Sequence, residues 1–422
     1  MKYLKKAFEK NQQQSNELAL TVQGIVDDVR SNGDQALLEL GKKFDGVELN
    51  SVKISRDAVK RAYTLVSEDT VKHFKFAADQ VRYFAEQQLK CMQPLSIPDS
   101  KVKGLELGHR LVPVETCGCY IPSGRYPLPS TAIMSVLVAK VAGVKHVAAC
   151  SPPSAEHDTI HPAVLVAMDI AGADEIYCMG GAQAIAAYAY GTETVKKVDM
   201  IVGPGNKYVT EAKRQVIGHV GIDMLAWPSE GLIVADETAN PTFLAIDCLA
   251  RCEHDPDARA IIVSTDEEIC KKAESELYRL LEDLPTKEVA AVSWRDNGEI
   301  ILADNMEEAI DIANQYAIEH LQVQVKNERE VAEKLLHYGS LFVGHYSPVA
   351  FGDFVSGTNH TLPTMATARF SSGLWVGTFI KVAFYQFVSK EGCKNLSEAC
   401  MHFGETEGLY GHRDSVKLRI KE

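Results

Sequence analysis

Lys197-Val198-Asp199-Met200-Ile201-Val202-Gly203-Pro204-Gly205-Asn206 is the run whose reading decides the fold. Val198 and Met200-Ile201-Val202 suit an extended, buried strand. Gly203-Pro204-Gly205 breaks it, and residues 207–217 then read as a helix. The same succession occurs upstream. Residues 116–121 end in Pro122-Ser123-Gly124 before a helix over 130–142, and 144–150 end in Ser151-Pro152-Pro153. Residues 175–179 end in Gly180-Gly181 before a helix over 182–190. Strand, turn and helix in repetition predict parallel βα units.

A second series lies downstream. Residues 231–235 read as a strand, and Asn240-Pro241 supplies an N-cap and a first-turn proline for a helix running to about His254. Strands over 260–264, 299–303, 321–325 and 340–343 alternate with helices over 266–284, 306–317 and 328–338. The fold class is therefore α/β, with two parallel-sheet domains divided near residue 229. No clear sequence repeat relates the two arrays. Residues 1–30 read as a polar helical arm with a weak apolar face, packing on another body such as a second subunit. Residues 55–95 hold two more helical patterns, and the chain from about Gly373 reads as helical and then polar.

A chain of 422 residues is long enough for two sizeable cores, and 46% hydrophobic with 24% charged residues is a globular balance. The net charge of −13 argues against unaided binding to nucleic acid or to an anionic membrane. Residues 1–16 lack the apolar core of a signal peptide, and no transmembrane run appears. The ten cysteines include no C-x-x-C pair and fall mostly in apolar segments, so reduced, buried thiols in a cytoplasmic protein are expected. Cys117-Gly118-Cys119 reads as core thiols rather than as a structural zinc set.

Several polar groupings could carry chemistry. Asp353-Phe354-Val355-Ser356-Gly357-Thr358-Asn359-His360 gathers an acid, hydroxyls, an amide and an imidazole around a glycine. It is either a solvated turn or a metal or proton-transfer loop. Arg251 and His254 share one helix face, where His254 is a candidate ligand or a cationic cap for the helix C-terminus. Glu319-His320 adjoins a strand start. Within a strand the two side chains would diverge; at a helix-to-strand turn both could line a cleft. Glu405, Glu407 and His412 surround Gly408 and Gly411 near the C-terminus. Ligands of parallel βα units bind at the carboxyl ends of the strands, where the glycine-rich turns fall. Helix starts there suit a phosphate, yet no G-x-G-x-x-G occurs, and pattern alone favours simple tight turns.

Taken together the motifs resemble one family. Gly118-Cys119-Tyr120-Ile121-Pro122-Ser123-Gly124, Gly180-Gly181-Ala182-Gln183-Ala184-Ile185, Val202-Gly203-Pro204-Gly205-Asn206, Cys252-Glu253-His254-Asp255-Pro256, Glu319-His320-Leu321 and Gly352-Asp353 through His360 stand in the order found in histidinol dehydrogenases. The resemblance spans nearly the whole chain. It implies two incomplete Rossmann-like domains in an intertwined homodimer with shared active sites. Residues 31–110 with 230–372 would form the substrate and metal domain, 111–229 the NAD domain, and 373–422 a small dimerisation segment.

The family oxidises an alcohol to an aldehyde and then to a carboxylate, using NAD and zinc. On that pattern His320 takes the alcohol proton and Glu319 activates water. His254, Asp353 and His412 match zinc ligands, with His412 from the other subunit; Ser229, His360 and Glu407 match substrate contacts; Tyr120, Gln183 and Asn206 match NAD contacts.

Two positions depart from the pattern. Arg251 stands where the family has a ligand glutamine, and a guanidinium has no lone pair for a metal. Trp227 replaces a glycine ahead of Pro228-Ser229-Glu230 and should reshape the pocket. The readings are oxidation of L-histidinol with a three-ligand zinc, oxidation of another small alcohol by a paralogue, or a non-catalytic binding protein. Gly124-Arg125-Tyr126 and Ser293-Trp294-Arg295-Asp296 are closer to the sulfopropanediol dehydrogenase branch, so Arg251 is also a candidate contact for an anionic substrate group. Glu319-His320 makes the non-catalytic reading the weakest.

Overall fold

The computed structural model describes residues 1–8, 15–98, 100–154 and 156–421. In chain order the strands are β1 (Lys2–Lys5), β2 (Leu95–Ile97), β3 (Leu105–Pro113), β4 (Thr116–Tyr120), β5 (His146–Ser151), β6 (Glu175–Cys178) and β7 (Met200–Val202). They continue as β8 (Gly221–Ile222), β9 (Glu230–Ala235), β10 (Arg259–Ser264), β11 (Glu299–Leu302), β12 (His320–Gln324), β13 (Ser340–Val343) and β14 (Ile380–Val388).

Two of the three sheets are built alike. A five-stranded parallel sheet has the order β6-β5-β4-β7-β8, and a six-stranded sheet the order β1-β11-β10-β9-β12-β13. Counted from the first parallel strand of each, both run 3-2-1-4-5. That is the dinucleotide-fold order without its sixth strand. The two βα arrays of the sequence thus share a topology that their residues do not advertise. β14, β3 and β2 form a separate antiparallel sheet.

Burial on both faces explains the apolar strands. Cys117 and Cys119 of β4 face one core cluster while Tyr120 faces another. Gly118 between them has no room for a side chain, because a Cβ would fall 2.6 Å from the Tyr188 ring. The paired cysteines are buried free thiols, as read from the sequence. Among the described residues, no helix is long and apolar enough to cross a membrane.

Three expectations change. The arm over 1–30 is not one helix. Lys2–Lys5 is a strand antiparallel to β11, and a helix from Ser15 to Asp45 extends well past residue 30, bent at Gly33 (φ +53°). Residues 9–14 of that arm lie outside the described residues. The helix buries Val22, Val26 and Val29 against Gly181–Tyr190 of its own subunit, so its apolar stripe is spent internally.

The helices between residues 31 and 91 pack with the five-stranded unit, whereas β2 and β3 join β14. Helix Arg56–Thr64 lies on Pro162–Ala171, and Glu68–Cys91 lies on the helical stretch spanning Ile133–Leu137 and Val138–Val141. The small apolar faces of those helices, such as Val59, Ala62, Ala78 and Val81, complete that core. Finally, the chain after Gly373 makes a 3-10 turn at Val376–Phe379 and then a nine-residue strand, β14, before the helices Lys390–Thr406 and Tyr410–Arg419. Its pairing with β3, not local periodicity, makes it a strand.

Candidate functional site

The glycine-rich turns of the five-stranded sheet sit at its carboxyl edge. β4 and β7 are neighbours there, and their connections leave to opposite sides, which opens the crevice of a topological switch point. Gly203 follows β7 with φ +117°, and a Cβ would lie 2.1 Å from the Tyr120 carbonyl oxygen, so only glycine fits. The turn is clamped from beneath by a buried ion pair of Lys213 and Asp223. Lys213 Nζ donates to the Gly203 carbonyl over 3.0 Å, and the Gly203 N–H donates to Asp223 over 2.8 Å. Neither residue stood out in the sequence, because the lysine belongs to an otherwise ordinary helix face.

Tyr120, Gln183 and Asn206 all gather at this edge. Tyr120 is buried at the end of β4 and its hydroxyl accepts from the Gly181 N–H over 3.2 Å. Gln183 is buried in the first turn of Gly181–Tyr190. Asn206 is exposed and caps Lys207–Val216, its oxygen accepting from the N–H groups of Tyr208 and Val209. Helix starts and side-chain-free turns at a switch point fit a dinucleotide's phosphates.

The acid and imidazole residues assemble elsewhere, at the amino edge of the six-stranded sheet. Ser229 directly precedes β9 and Glu230 begins it, Glu319 directly precedes β12 and His320 begins it, and Arg251 sits in the last turn of the helix Pro241–Cys252. Expecting every ligand site at carboxyl ends is therefore wrong for this unit: its returning helix and strand starts carry the polar groups.

Glu319 Oε2 accepts from Ser229 Oγ at 2.8 Å and from the Glu230 N–H at 2.9 Å. It also lies 3.3 Å from His320 Nδ1. His320 Nε2 lies 3.3 Å from Asp353 Oδ1, an ion-pair contact without hydrogen-bond alignment. Arg251 donates from Nη1 to Ser229 Oγ at 2.9 Å and from Nη2 to Asp353 Oδ2 at 3.2 Å. Arg251, Glu319, His320 and Asp353 are all buried.

Asp353 ends the short helix Val349–Phe354, and Gly357 (φ +100°) turns the chain back. His360 then donates from Nδ1 to the Asp353 main-chain carbonyl over 2.9 Å, while the Asp353 carboxylate turns to Arg251 and His320. Three hydrogen bonds tie this edge to the other unit, on the segment that follows β4. They are His360 Nε2 with Thr131 Oγ1 at 3.2 Å, Asn359 to the Met134 carbonyl at 2.8 Å, and Tyr126 to the Glu253 carbonyl at 3.3 Å.

Charge is finely set in the cluster. Burial alone would raise the Glu319 pKa, but the His320 and Arg251 charges outweigh it and hold the carboxyl low. Burial and Arg251 push His320 down; Glu319 and Asp353 overcome them and raise it. Asp353 resists burial through Arg251 and His320 and stays well below the usual carboxylate range. Burial lowers His360. His254 keeps an exposed face, while crowding around the rest of the ring and the Arg251 charge lower its pKa. Glu230, buried and beside Glu319, is pushed up to about 7. Sequence reading passed over Glu230, since nothing local marks a carboxylate as buried.

Glu407 and His412 are not part of this assembly within one subunit. Both are exposed, on a helical pair that packs on itself and on β14. Trp227 is half-buried and precedes a cis peptide to Pro228, and its N–H donates to Thr364 Oγ1 over 3.0 Å.

The residues that one subunit brings together do not fit a zinc ion. Among the described residues no three His, Cys, Asp or Glu side chains are grouped to hold a metal. Both Asp353 oxygens face cationic or cation-forming groups, and the position three residues before His254 offers a guanidinium.

Fold and cluster together define a two-unit α/β protein whose buried acid–base centre is flanked by residues hydrogen-bonded to the segment after β4. The model of the family "Histidinol dehydrogenase" matches residues 8–420. The histidinol dehydrogenase of Methanocaldococcus jannaschii is 43% identical over 99% of this chain and 96% of its own. A histidinol dehydrogenase homolog of Shouchella clausii is 42% identical over 95% of this chain and 94% of its own. The crystal structure of histidinol dehydrogenase from Elizabethkingia anophelis superposes with a TM-score of 0.92 at 37% identity, covering 98% of this chain and 94% of that one. The chain belongs to the histidinol dehydrogenase family, a family of oxidoreductases.

Proposed function

We propose that the protein is an NAD-dependent alcohol dehydrogenase that oxidises L-histidinol through the aldehyde to L-histidine. The observation that carries this reading is the buried Glu319–His320 pair, set with Ser229, Arg251 and Asp353 beside the crevice of the five-stranded sheet. NAD accepts the hydride when bound. Its phosphates would lie at the Gly181 and Asn206 helix starts, against Tyr120 and Gln183.

The protein's own residues handle the proton. His320 receives it from the substrate hydroxyl, and the flanking Glu319 and Asp353 carboxylates stabilise the imidazolium that results. In the second oxidation Glu319 is the base for water. Ser229 and His360 line the same edge and orient the substrate. Arg251 is the further contact for a substrate oxygen or anionic group, because its fork retains donors beyond the two in use.

The proposal includes a homodimer. Phe384 is 85% exposed on β14, with Phe387 and Phe403 also open, more aromatic surface than a lone subunit usually leaves bare. Glu407 and His412 lie on the adjoining helices, so a second copy covering this face could bring them to its partner's cluster.

The test is NADH formation by purified protein with L-histidinol and, in parallel, with dihydroxypropanesulfonate. Turnover of L-histidinol supports the proposal. Turnover of the sulfonate alone would move the protein to the paralogue reading, and turnover of neither would defeat both. Sedimentation must show a dimer.

A further inference from the structure

We infer that the Arg251 guanidinium stands in place of a divalent cation, so that this centre needs no metal. The inference rests on the proposed oxidation, but it is read separately from it. Arg251 is only 5% exposed and is held at the end of the helix Pro241–Cys252, one turn before His254. There the helix carbonyls favour a positive charge. Its fork reaches two groups at once, Ser229 Oγ at 2.9 Å and Asp353 Oδ2 at 3.2 Å. Asp353 therefore already has its countercharge, and its other oxygen faces His320 at 3.3 Å. A zinc ion bonds a carboxylate oxygen at about 2.0–2.2 Å. On Asp353 it would stand beside a permanently protonated guanidinium, with the lone pair of a neutral ligand missing from position 251.

In this arrangement Arg251 takes no part in proton transfer. During oxidation the C–H bond breaks and its electron pair leaves as hydride to NAD. The O–H proton passes to His320, and the carbonyl π bond forms from the O–H pair. Arg251 keeps all its protons and donates hydrogen bonds to the oxygen as charge develops there.

Zinc binding tests this without any substrate. Full-length protein is stripped with a chelator, back-titrated with zinc and assayed for bound metal and melting temperature. The parent should hold well under about 0.1 zinc per subunit, and its melting temperature should ignore the chelator. Arg251→Gln should take up zinc with affinity raised about 100-fold, and Arg251→Lys, which keeps the cation, should not. A parent holding about one zinc per subunit, with a melting temperature that falls on chelation, would overturn the inference. So would a folded Arg251→Gln that gains no zinc, or an Arg251→Lys that binds it equally well. If Arg251→Gln does not fold, the parent and Arg251→Lys decide. Failure to oxidise L-histidinol would count against the proposed substrate and leave the metal result standing.

Discussion

The five-stranded and six-stranded sheets share the order 3-2-1-4-5, yet they use opposite edges. In the first, glycine turns and helix N-termini crowd the carboxyl edge, the electropositive end of the helices. In the second, that edge is closed on itself. Asp236 after β9 accepts from Thr238 and from the Lys326 N–H, and Asp266 and Asn305 cap the helices that follow β10 and β11. Its amino edge, where the helix Pro241–Cys252 ends, holds Arg251 with Glu319, His320 and Asp353. The lesson is electrostatic. An anion-binding edge needs helix starts, a centre organised around a cation suits a helix end, and one strand order offers both.

Several experiments would break or sharpen that contrast. The largest effect is expected at His320. His320→Ala should lower the rate of NAD reduction about 10²–10⁴-fold while leaving NAD binding intact; a parallel loss of binding would mean that the edges do not divide the work. Asp353→Asn leaves a buried guanidinium without its carboxylate and should cost about 3–5 kcal/mol in denaturant unfolding.

Glu230 comes next. Its carboxyl, about 7 in the fold against an ordinary 4.5, favours the protonated form, so stability is full below 4.5, falls as pH rises towards 7 and is flat above. Glu230→Gln should remove that slope, matching the parent at pH about 4 and exceeding it by up to about 3 kcal/mol at pH about 8. Unchanged pH dependence would show that burial does not hold the proton there. At the other sheet, Gly203→Ala forces a Cβ onto Tyr120 and should cost about 1–3 kcal/mol while raising the KM for NAD more than it lowers kcat. The smallest effect belongs to the closed carboxyl edge. Asp236→Ala should cost about 1 kcal/mol of stability and leave turnover unchanged.

Much of this was visible in the chain. Glycine-punctuated strands announced the parallel units, and Asn240-Pro241 announced the helix that carries Arg251. Asp353, His360, Glu319 and His320 were singled out as pairs, and they do converge. What stayed hidden depends on distance along the chain. Lys2–Lys5 is a strand only because it meets β11, and β14 only because it meets β3. Likewise, Glu230 and Lys213 are buried by elements distant in the chain, and no residue near either reports that burial.

The pairing of β1 with β11 also sets an order of events. Lys2 is synthesised about 300 residues before its partner Leu302. The five-stranded unit, with strands between Thr116 and Ile222, can close while the ribosome is still working. The first strand must then wait unpaired until β11 is made, so the sheet that contains His320 gains this edge late. A bulky fusion ahead of Lys2 should therefore slow maturation of this unit far more than of the other.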